Sequence, residues 1–583
     1  MSELDPSEKL TLGAEEARSL LQHGIELAAD GAHQEARQTF LLVLERDPHS
    51  ALAWDRLGQT LGHLGLLGEA AQALKCAAEL DPSNIECRSA LGFLYRSISR
   101  PDEAIHWHSE ALALRPNSLI LQLNHAFVLP VVASSTEQIS NLRKRCLALM
   151  DAIVKDECTE CMPTTLTCHP FYLSTHNQND RPLLEAYGRL MVRSFGDQSA
   201  ASEVYVNPGQ TSSRKIRVGF LSGCFYDHSV TRAFEGLIRH LDRDQIEVVL
   251  IHLADAKHDA TTDRLESCCQ EVVRLSGSLD ESTERLRALT LDVLFFTDIG
   301  THPAMTQLAA RRHAPLQVTG WGWPQTSGMP FVDAYISGDL VEPEMGQDHY
   351  SERLIRLPGL PCCFPSDAIE GSLLTRDYFF LPPDDALIGC LQSLEKIHPD
   401  FDAVLERLAL DAPKAWFVFV ESEVTSSTEI FLNRMAEQAP SVSERLILLG
   451  RMSRKDFFGL AGCIDVLLDP IYFGSGITLF ETLHAGTPTV TLEGKFLRTR
   501  MVAAAYRLMG VSQPPIAQTL DEYVKLAAQI SNNPAIRSSL RQEIQEKAQS
   551  NLYDRMEFVR GFENFVLESA RGIVQDLASR TRV

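Results

Sequence analysis

No stretch of this 583-residue chain is apolar for long enough to cross a bilayer. Its opening, Met1-Ser-Glu-Leu-Asp-Pro-Ser-Glu-Lys9, is polar and acidic where a secretory signal would be basic and then apolar. A membrane span and an export signal are therefore not expected, and the expected compartment is the cytoplasm. Positive charge is scarce too: 54 Lys and Arg stand against 77 Asp and Glu, a net charge of −23. That balance speaks against a general nucleic-acid binder or a protein of anionic membrane surfaces, since neither polyanion would attract it. It leaves room for a local basic pocket around a phosphate. Regular cysteine spacing is nearly missing: the 13 cysteines are odd in number and scattered, which reads as reduced thiols. One group, Cys158-x-x-Cys161 followed by Cys168-His169, has zinc-site character. Its second half lacks a matching spacing, and Pro163 and Pro170 place it in a connector, so a plain linker is the competing reading.

What is present begins with a repeat. Pro48, Pro82 and Pro116 stand thirty-four residues apart, as do Gly24, Gly58 and Gly92, and Ala36, Ala70 and Ala104. Small residues let two antiparallel helices approach, and each proline ends a helix before the next repeat begins. Period and residue types resemble the tetratricopeptide repeat from about Glu15 to Phe127. Such repeats stack into a solenoid that serves either peptide recognition or docking and self-association. Asn124 and His125 are polar side chains that would suit an extended peptide.

Farther on, apolar runs alternate with amphipathic stretches, the pattern of parallel sheets covered by helices. Expected strands are Ile216 to Leu221, Val248 to Leu253 and Val293 to Phe296. A second set comprises Leu387 to Cys390, Trp416 to Val420, Leu446 to Leu449, Val466 to Leu468 and Thr489 to Leu492. The expected organisation is a polar tail (1–14), a repeat arm (15–150), a helical connector (151–210) and two α/β lobes (211–370 and 371–583). The segment from Leu520 onward is expected to be helical and polar-faced and to pack across the back of the lobes. Within the second lobe, Ile464 to Gly494 reads as strand, glycine loop, helix, turn and strand. Gly474-Ser475-Gly476 frees the backbone for a close turn, and Ile477 to His484 fits a short helix. Unpaired N–H groups at such a helix start suit a diphosphate. Glu481, one turn past Thr478, shares its face and suits ribose hydroxyls. A glycine loop kept only for turn geometry is the plainer alternative.

Five motifs then occur in order. Asp227-His-Ser-Val230 follows the strand Arg217 to Leu221. Next come Gln317-Val-Thr-Gly-Trp-Gly-Trp-Pro-Gln-Thr-Ser-Gly-Met-Pro-Phe-Val-Asp333, Tyr350-Ser-Glu-Arg-Leu354, Lys396-Ile-His-Pro399 and the Ile464–Gly494 stretch. The set resembles the tetratricopeptide-linked protein O-glycosyltransferases, which include the O-linked N-acetylglucosamine transferases and their Spindly-like relatives. The resemblance implies a GT-B body of two Rossmann-like lobes and inverting transfer without a metal or other cofactor. It also implies Ser and Thr of proteins as acceptors, engaged through the repeat arm.

Carried over by position, the resemblance implies that His228 is a base or a sugar-positioning group and that Lys396 contacts the donor diphosphate. It puts Thr478 at the pyrophosphate and Glu481 on the ribose. Arg454 stands where the N-acetylglucosamine transferases have a ribose-contacting lysine, and Phe457 where the nucleobase lies. Gln392 belongs to the segment Gly389 to Lys396 expected to select the base. Gly476-Ile477 departs from the usual His-Thr pair, while Glu481 and His228-Ser229-Val230 look Spindly-like. UDP-GlcNAc is the leading donor, with UDP-glucose and GDP-fucose as alternatives.

The chemistry agrees. Negative charge grows on the departing phosphate, and Lys396 with the N–H groups of Ser475 to Thr478 would meet it. The quoted motifs contain no Asp-x-Asp pattern to hold a divalent ion. His228 titrates in the right range for a base, with an N-cap or sugar-orienting role as the alternative. His398, beside a proline, reads as a turn residue. The loop Gly320 to Gly328 is expected on the sugar and acceptor side through Gly322, Pro324, Thr326 and Ser327. Trp321 and Trp323 are either cleft walls or core. A catalytically silent scaffold that binds nucleotide as a regulator is the reading from another class.

Overall fold

This computed structural model describes residues 6–156, 170–196, 214–369, 371 and 374–580, the side chains at 6–14 and 571–580 excepted. The zinc-like group at Cys158, Cys161 and Cys168 lies outside the described residues. The chain divides into two compact units. The first is helical: Pro6–Ala29, His33–Arg46, Ala51–His63, Leu67–Leu80, Ile85–Ser97 and Pro101–Leu114 pair as successive hairpins. The expected polar tail is, from Pro6 onward, the first part of a helix. Ser50 and Asn84, thirty-four residues apart, cap their helices by accepting from the N–H groups of Ala53 and Cys87. A Cβ placed on Gly24 would lie 2.7 Å from Phe40, one on Gly58 2.6 Å from Leu74 and one on Gly92 2.4 Å from His108. The small residues thus mark where each hairpin closes. Asn124, expected to face a peptide, is instead 4% exposed. His125 is half-buried against Ser109, and burial pushes it down to about 4.

His108 takes the place held by Phe40 and Leu74 in the earlier repeats, yet it is 1% exposed and neither ring nitrogen has a hydrogen-bond partner. Burial, followed by the charges of Arg96, His125 and Arg145, pushes its pKa down to about 3. An unfolded histidine near 6.5 takes up its proton first, so stability is full above that value and falls as the pH drops from about 6.5 towards 3. At pH 5 this costs about 2 kcal/mol. His108→Leu is expected to reduce the loss of stability at pH 5 by about that amount, the other buried histidines keeping theirs. Thermal melts of the full chain at pH 5 and pH 7.5, followed by helical circular dichroism, check this; equal acid losses in both proteins would disprove it.

The second unit carries two parallel sheets. Strands β1 (Ile216–Ser222), β2 (Ile246–His252), β3 (Glu271–Arg274), β4 (Val293–Phe296), β5 (Leu316–Gly320), β6 (Ala334–Gly338) and β7 (Arg353–Leu357) form the first, in the order β3-β2-β1-β4-β5-β6-β7. Strands β8 (Leu387–Cys390), β9 (Trp416–Val420), β10 (Leu446–Leu449), β11 (Val466–Leu468), β12 (Thr489–Leu492) and β13 (Ile516–Ala517) form the second, ordered β10-β9-β8-β11-β12-β13. Apolar residues such as Val218, Phe220, Leu294 and Val466 are fully buried, as expected where helices cover both faces. The architecture is helical repeats followed in sequence by two Rossmann-like lobes. One element departs from the expected 371–583 lobe. The last helix, Met556–Arg580, packs on the first sheet, where Phe562 meets Phe220 and Phe295.

Candidate functional site

In each sheet the strand order reverses beside the first strand, between β1 and β4 and between β8 and β11. Loops leaving the C-terminal ends there diverge and open a crevice, the usual seat of a ligand in open α/β sheets. The sequence places its chemistry at both. The crevice of the second sheet holds Gln392 and Lys396 after β8 and the loop from Asp469 to Ile477 after β11. The Gln392 side-chain amide donates to Ser475 Oγ (3.1 Å) and Thr478 Oγ1 (2.9 Å), and its oxygen accepts from Lys396 Nζ (2.9 Å). Lys396 also points at the Gly474 carbonyl (3.5 Å) and lies 4.8 Å from the centre of the Phe473 ring. Among the described residues its ammonium has only these neutral acceptors, and burial pushes its pKa down. Gln392, Lys396, Gly474, Ser475 and Thr478 are thus one cluster.

The loop's N–H groups divide into two sets. Gly474 N–H donates to Arg498 O (2.9 Å) and Ser475 N–H to Asp469 Oδ1 (2.6 Å), so Ser475 does not offer the N–H expected of it. Gly476, Ile477 and Thr478 have no protein acceptor for theirs among the described residues. The helix itself starts at Thr478, one residue later than expected. Three free N–H groups and a half-buried ammonium with no ion pair among the described residues, on one rim, form a concentrated anion seat.

At the first sheet's crevice, His228 caps the helix Ser229–His240, with its Nδ1 accepting from Val230 N–H at 3.3 Å. Its loop is held from several sides. Asp227 N–H donates to Asp259 (2.8 Å), Thr262 Oγ1 to Phe225 O (2.8 Å) and Thr231 Oγ1 to Tyr226 O (2.7 Å). Burial lowers the His228 pKa against the opposing pull of Asp298, so the ring is neutral at pH 7. With Nδ1 accepting, the proton of the neutral ring sits on Nε2.

The two crevices meet. A Cβ on Gly476 would come 3.9 Å from the Trp321 ring, so the glycine loop of the second lobe faces the Trp321-Gly322 corner of the first. Trp321 therefore lines the cleft, whereas Trp323 is 1% exposed and packs as core. Phe171 bridges both sides, with ring centres 5.7 Å from Trp323 and 6.2 Å from Phe473.

A model of the family described as "Glycosyl transferase family 41" matches residues 171–362 and 365–562, both lobes and their approach. The chain belongs to glycosyl transferase family 41. Among curated proteins it is 26% identical over 370 residues to a "Probable UDP-N-acetylglucosamine--peptide N-acetylglucosaminyltransferase SPINDLY" of Petunia hybrida, covering 60% of this chain and 38% of that protein. It is 22% identical over 257 residues to a "UDP-glucose:protein N-beta-glucosyltransferase" of Actinobacillus pleuropneumoniae, covering 44% of this chain and 40% of that one. The chain thus spans about two fifths of the length of these relatives. Among solved structures, an O-GlcNAc transferase mutant of Thermobaculum terrenum aligns with a TM-score of 0.74 at 23% identity, covering 97% of this chain and 99% of that one. At that identity the likeness is one of fold.

In this family 41 chain the remaining expected residues are placed less simply. Arg454 and Glu481 are paired with each other (2.6 Å), and Arg454 also donates to Ala368 O of the segment between the lobes. Glu481 is 3% exposed, and Arg454 takes one of its two oxygens. Phe457 is half-buried against the second lobe's core. Gly322 lies where a Cβ would come 1.9 Å from Thr297 O, pressing the loop backbone onto the end of β4, and Pro324 is half-exposed beside it. Thr326 and Ser327 turn inward. Thr326 Oγ1 donates to Glu352 (2.6 Å), and both the N–H (2.7 Å) and the hydroxyl of Ser327 donate to the same carboxylate. Gly328 sits at φ +71° with its Cα against Leu184 O, which lets the connector helix Arg181–Phe195 pack on the loop.

Sequence reasoning missed Glu352, although the Tyr350–Leu354 motif contains it, and it missed Asp469 and Phe171. It also stopped short of Asp400-Phe-Asp402, which follows the lysine motif with Asp-x-Asp spacing. Asp402 is paired with buried Arg434 (2.7 Å), and Asp400 accepts from the Tyr472 hydroxyl (3.0 Å). Among the described residues no cluster of His, Cys, Asp and Glu has metal-site geometry, and no helix is long and apolar enough to cross a membrane. His398 accepts from Asp400 N–H (3.1 Å) and holds a turn.

Proposed function

We propose that this chain is an inverting, metal-independent protein O-glycosyltransferase that moves N-acetylglucosamine from UDP-GlcNAc onto Ser or Thr hydroxyls of protein acceptors. One observation carries the reading. Lys396 is a half-buried ammonium with no carboxylate in hydrogen-bond reach among the described residues, next to the free N–H groups of Gly476 to Thr478 and across from the Trp321-Gly322 corner. An acceptor oxygen attacks the anomeric carbon, the bond to the diphosphate breaks, and its electron pair stays on the departing phosphate oxygen. Lys396 and the free N–H groups meet that charge with dipoles already in place. Gln392 holds Lys396, Ser475 and Thr478 in register, and the free oxygen of Glu481 accepts from the ribose. Arg454 acts as the brace of Glu481, and Phe457 lies beneath the base.

His228 is assigned to sugar positioning. Its Nδ1 is taken by Val230 N–H, so the neutral ring presents Nε2–H, a donor to a sugar oxygen and not a base. The acceptor's proton then leaves through water. Gly322 and Pro324 supply close backbone and ring contact to the sugar. The tetratricopeptide arm supplies the surface for protein acceptors.

A thermal-shift panel tests the donor, because a ligand bound only by the native state raises the melting temperature. UDP and UDP-GlcNAc are expected to raise it, with UDP-glucose weaker and GDP and GDP-fucose inert. A response to GDP-fucose alone would replace the donor. Binding of UDP-GlcNAc without hydrolysis or transfer to any co-expressed protein would favour a silent, nucleotide-regulated scaffold.

A further inference from the structure

We propose that Asp469 is a positioning residue of the anion seat: its carboxylate, buried beneath the glycine loop, ties the Ser475 N–H inward and holds the Lys396 ammonium in its charged form. The inference rests on the reading of that cluster as the seat of a nucleoside diphosphate. Asp469 immediately follows β11 and is 2% exposed. Its main chain is fixed at both ends, the N–H donating to Val490 O (2.9 Å) and the carbonyl accepting from the Tyr523 hydroxyl (3.0 Å). The carboxylate accepts from Ser475 N–H (2.6 Å) on one oxygen and from Thr491 Oγ1 (2.8 Å) on the other. It also fills the space beside Gly474, where a Cβ would lie 2.6 Å from Oδ2. The glycine is therefore required by the aspartate as much as by the turn. With Ser475 N–H drawn down, the next three N–H groups are left facing the cleft.

The second part of the role is electrostatic. Burial alone would drive Lys396 towards its neutral form, and the charges opposing this are those of Glu395, Asp469 and Cys390. Cys390 is pushed up to about 12 by burial and stays a neutral thiol, and Tyr523 and Tyr506, which also feel Asp469, are raised and stay neutral. Glu395 neighbours Lys396 in sequence and is half-buried. Asp469 and Lys396 hold adjacent residues of one loop, Asp469 through the Ser475 N–H (2.6 Å) and Lys396 through the Gly474 carbonyl (3.5 Å). Burial raises the Asp469 pKa, while the bonds from Ser475 and Thr491 and the charge of Lys396 oppose that. An anion in this place would repel a diphosphate if it touched one. It lies on the far side of the loop, where it acts through Ser475 and Lys396.

Asp469→Asn separates charge from shape. Its Oδ1 can still accept from Ser475 N–H while its Nδ2 donates to Thr491 Oγ1, so the loop keeps its course and only the charge is lost. The readout is the pH dependence of Lys396 acetylation by acetic anhydride, followed by peptide mass spectrometry on the full-length chain. In Asp469→Asn the half-point of Lys396 is expected about one pH unit lower or more, since an opposite charge in a dry site supports the ammonium by at least that much. Thr491→Val removes one donor from the carboxylate, favours its protonation, and should move Lys396 the same way by less. It also serves if the asparagine variant does not fold. The alkaline limb of donor turnover should shift in parallel. An unshifted Lys396 in variants of a chain that turns donor over would overturn the role of Asp469 and keep the donor reading. A shifted Lys396 in a chain that binds no nucleoside diphosphate would keep the effect of Asp469 and overturn the reading.

Discussion

Lys396→Ala will abolish sugar transfer without unfolding the protein. In the free protein the ammonium makes hydrogen bonds, among the described residues, only to Gln392 and the Gly474 carbonyl, and burial works against its charge. Alanine therefore removes a group that contributes little to the apo fold and relieves some desolvation, so the apo melting temperature should stay level or rise. The loss falls on the complex. The departing diphosphate keeps the N–H groups of Gly476 to Thr478 but loses the one cation in their midst. Removing a preorganised group of this kind typically lowers turnover by a hundredfold or more. The stabilisation by UDP should shrink in the same variant. Measuring kcat/KM together with melting curves, with and without UDP, checks both halves. Near-normal turnover would reduce Lys396 to a loop charge.

How much of this was legible follows from the range over which each signal acts. The hairpin contacts Gly24–Phe40, Gly58–Leu74 and Gly92–His108 span sixteen residues and recur, so a period betrays them. Strands buried on both faces, such as Val293–Phe296 and Leu387–Cys390, are unbroken apolar runs, and their bounds match those read from the sequence. Strands β3 and β7 escaped because Glu271, Arg274, Arg353 and Arg356 interrupt the apolar pattern at the sheet's two edges. Strands β5 and β6 escaped for another reason: Gln317, Thr319 and Ser337 are buried polar residues that break the run.

At the site, the glycine loop and the lysine carry their own chemistry and were legible as types. Their convergence on Gln392 was not, because it joins positions more than eighty residues apart. Nothing local shows that Arg454 would pair with Glu481, or that Ser475 N–H would turn to Asp469. A carboxylate that serves from behind a loop has the same sequence signature as one on a solvated face. Only burial and the direction of its donors separate the two.

Glu352 is the clearest example, and Glu352→Ala is expected to have the second large effect. The carboxylate is 2% exposed and has no cation. It is held by donors alone: Thr326 Oγ1 (2.6 Å) and Ser351 Oγ (3.1 Å) on one oxygen, with Ser327 N–H (2.7 Å) and its hydroxyl on the other. Those bonds pin the far half of the loop whose near half, Gly322 to Pro324, faces the glycine loop of the second lobe. Alanine leaves a buried N–H and three hydroxyls to find new partners, at a cost of roughly 3 kcal/mol, because hydrogen bonds to a charged group are the strong ones. It also frees the loop to move. The proposed nucleotide contacts lie on the other lobe, so the affinity for UDP should be unchanged. Turnover, which needs the sugar held against Gly322 and Pro324, should fall on the order of a hundredfold, the usual penalty for about 1 Å of misplacement. Glu352→Gln keeps the shape but turns an amide NH2 towards one of these donors, and should fall between. Calorimetric titration with UDP, read beside kcat and the melting temperature, separates this outcome from general unfolding, which would lower all three. If Glu352→Ala kept both its melting temperature and its turnover, the loop would be held by its own packing on Leu184 and Gly188, and the carboxylate would have no part in placing the sugar.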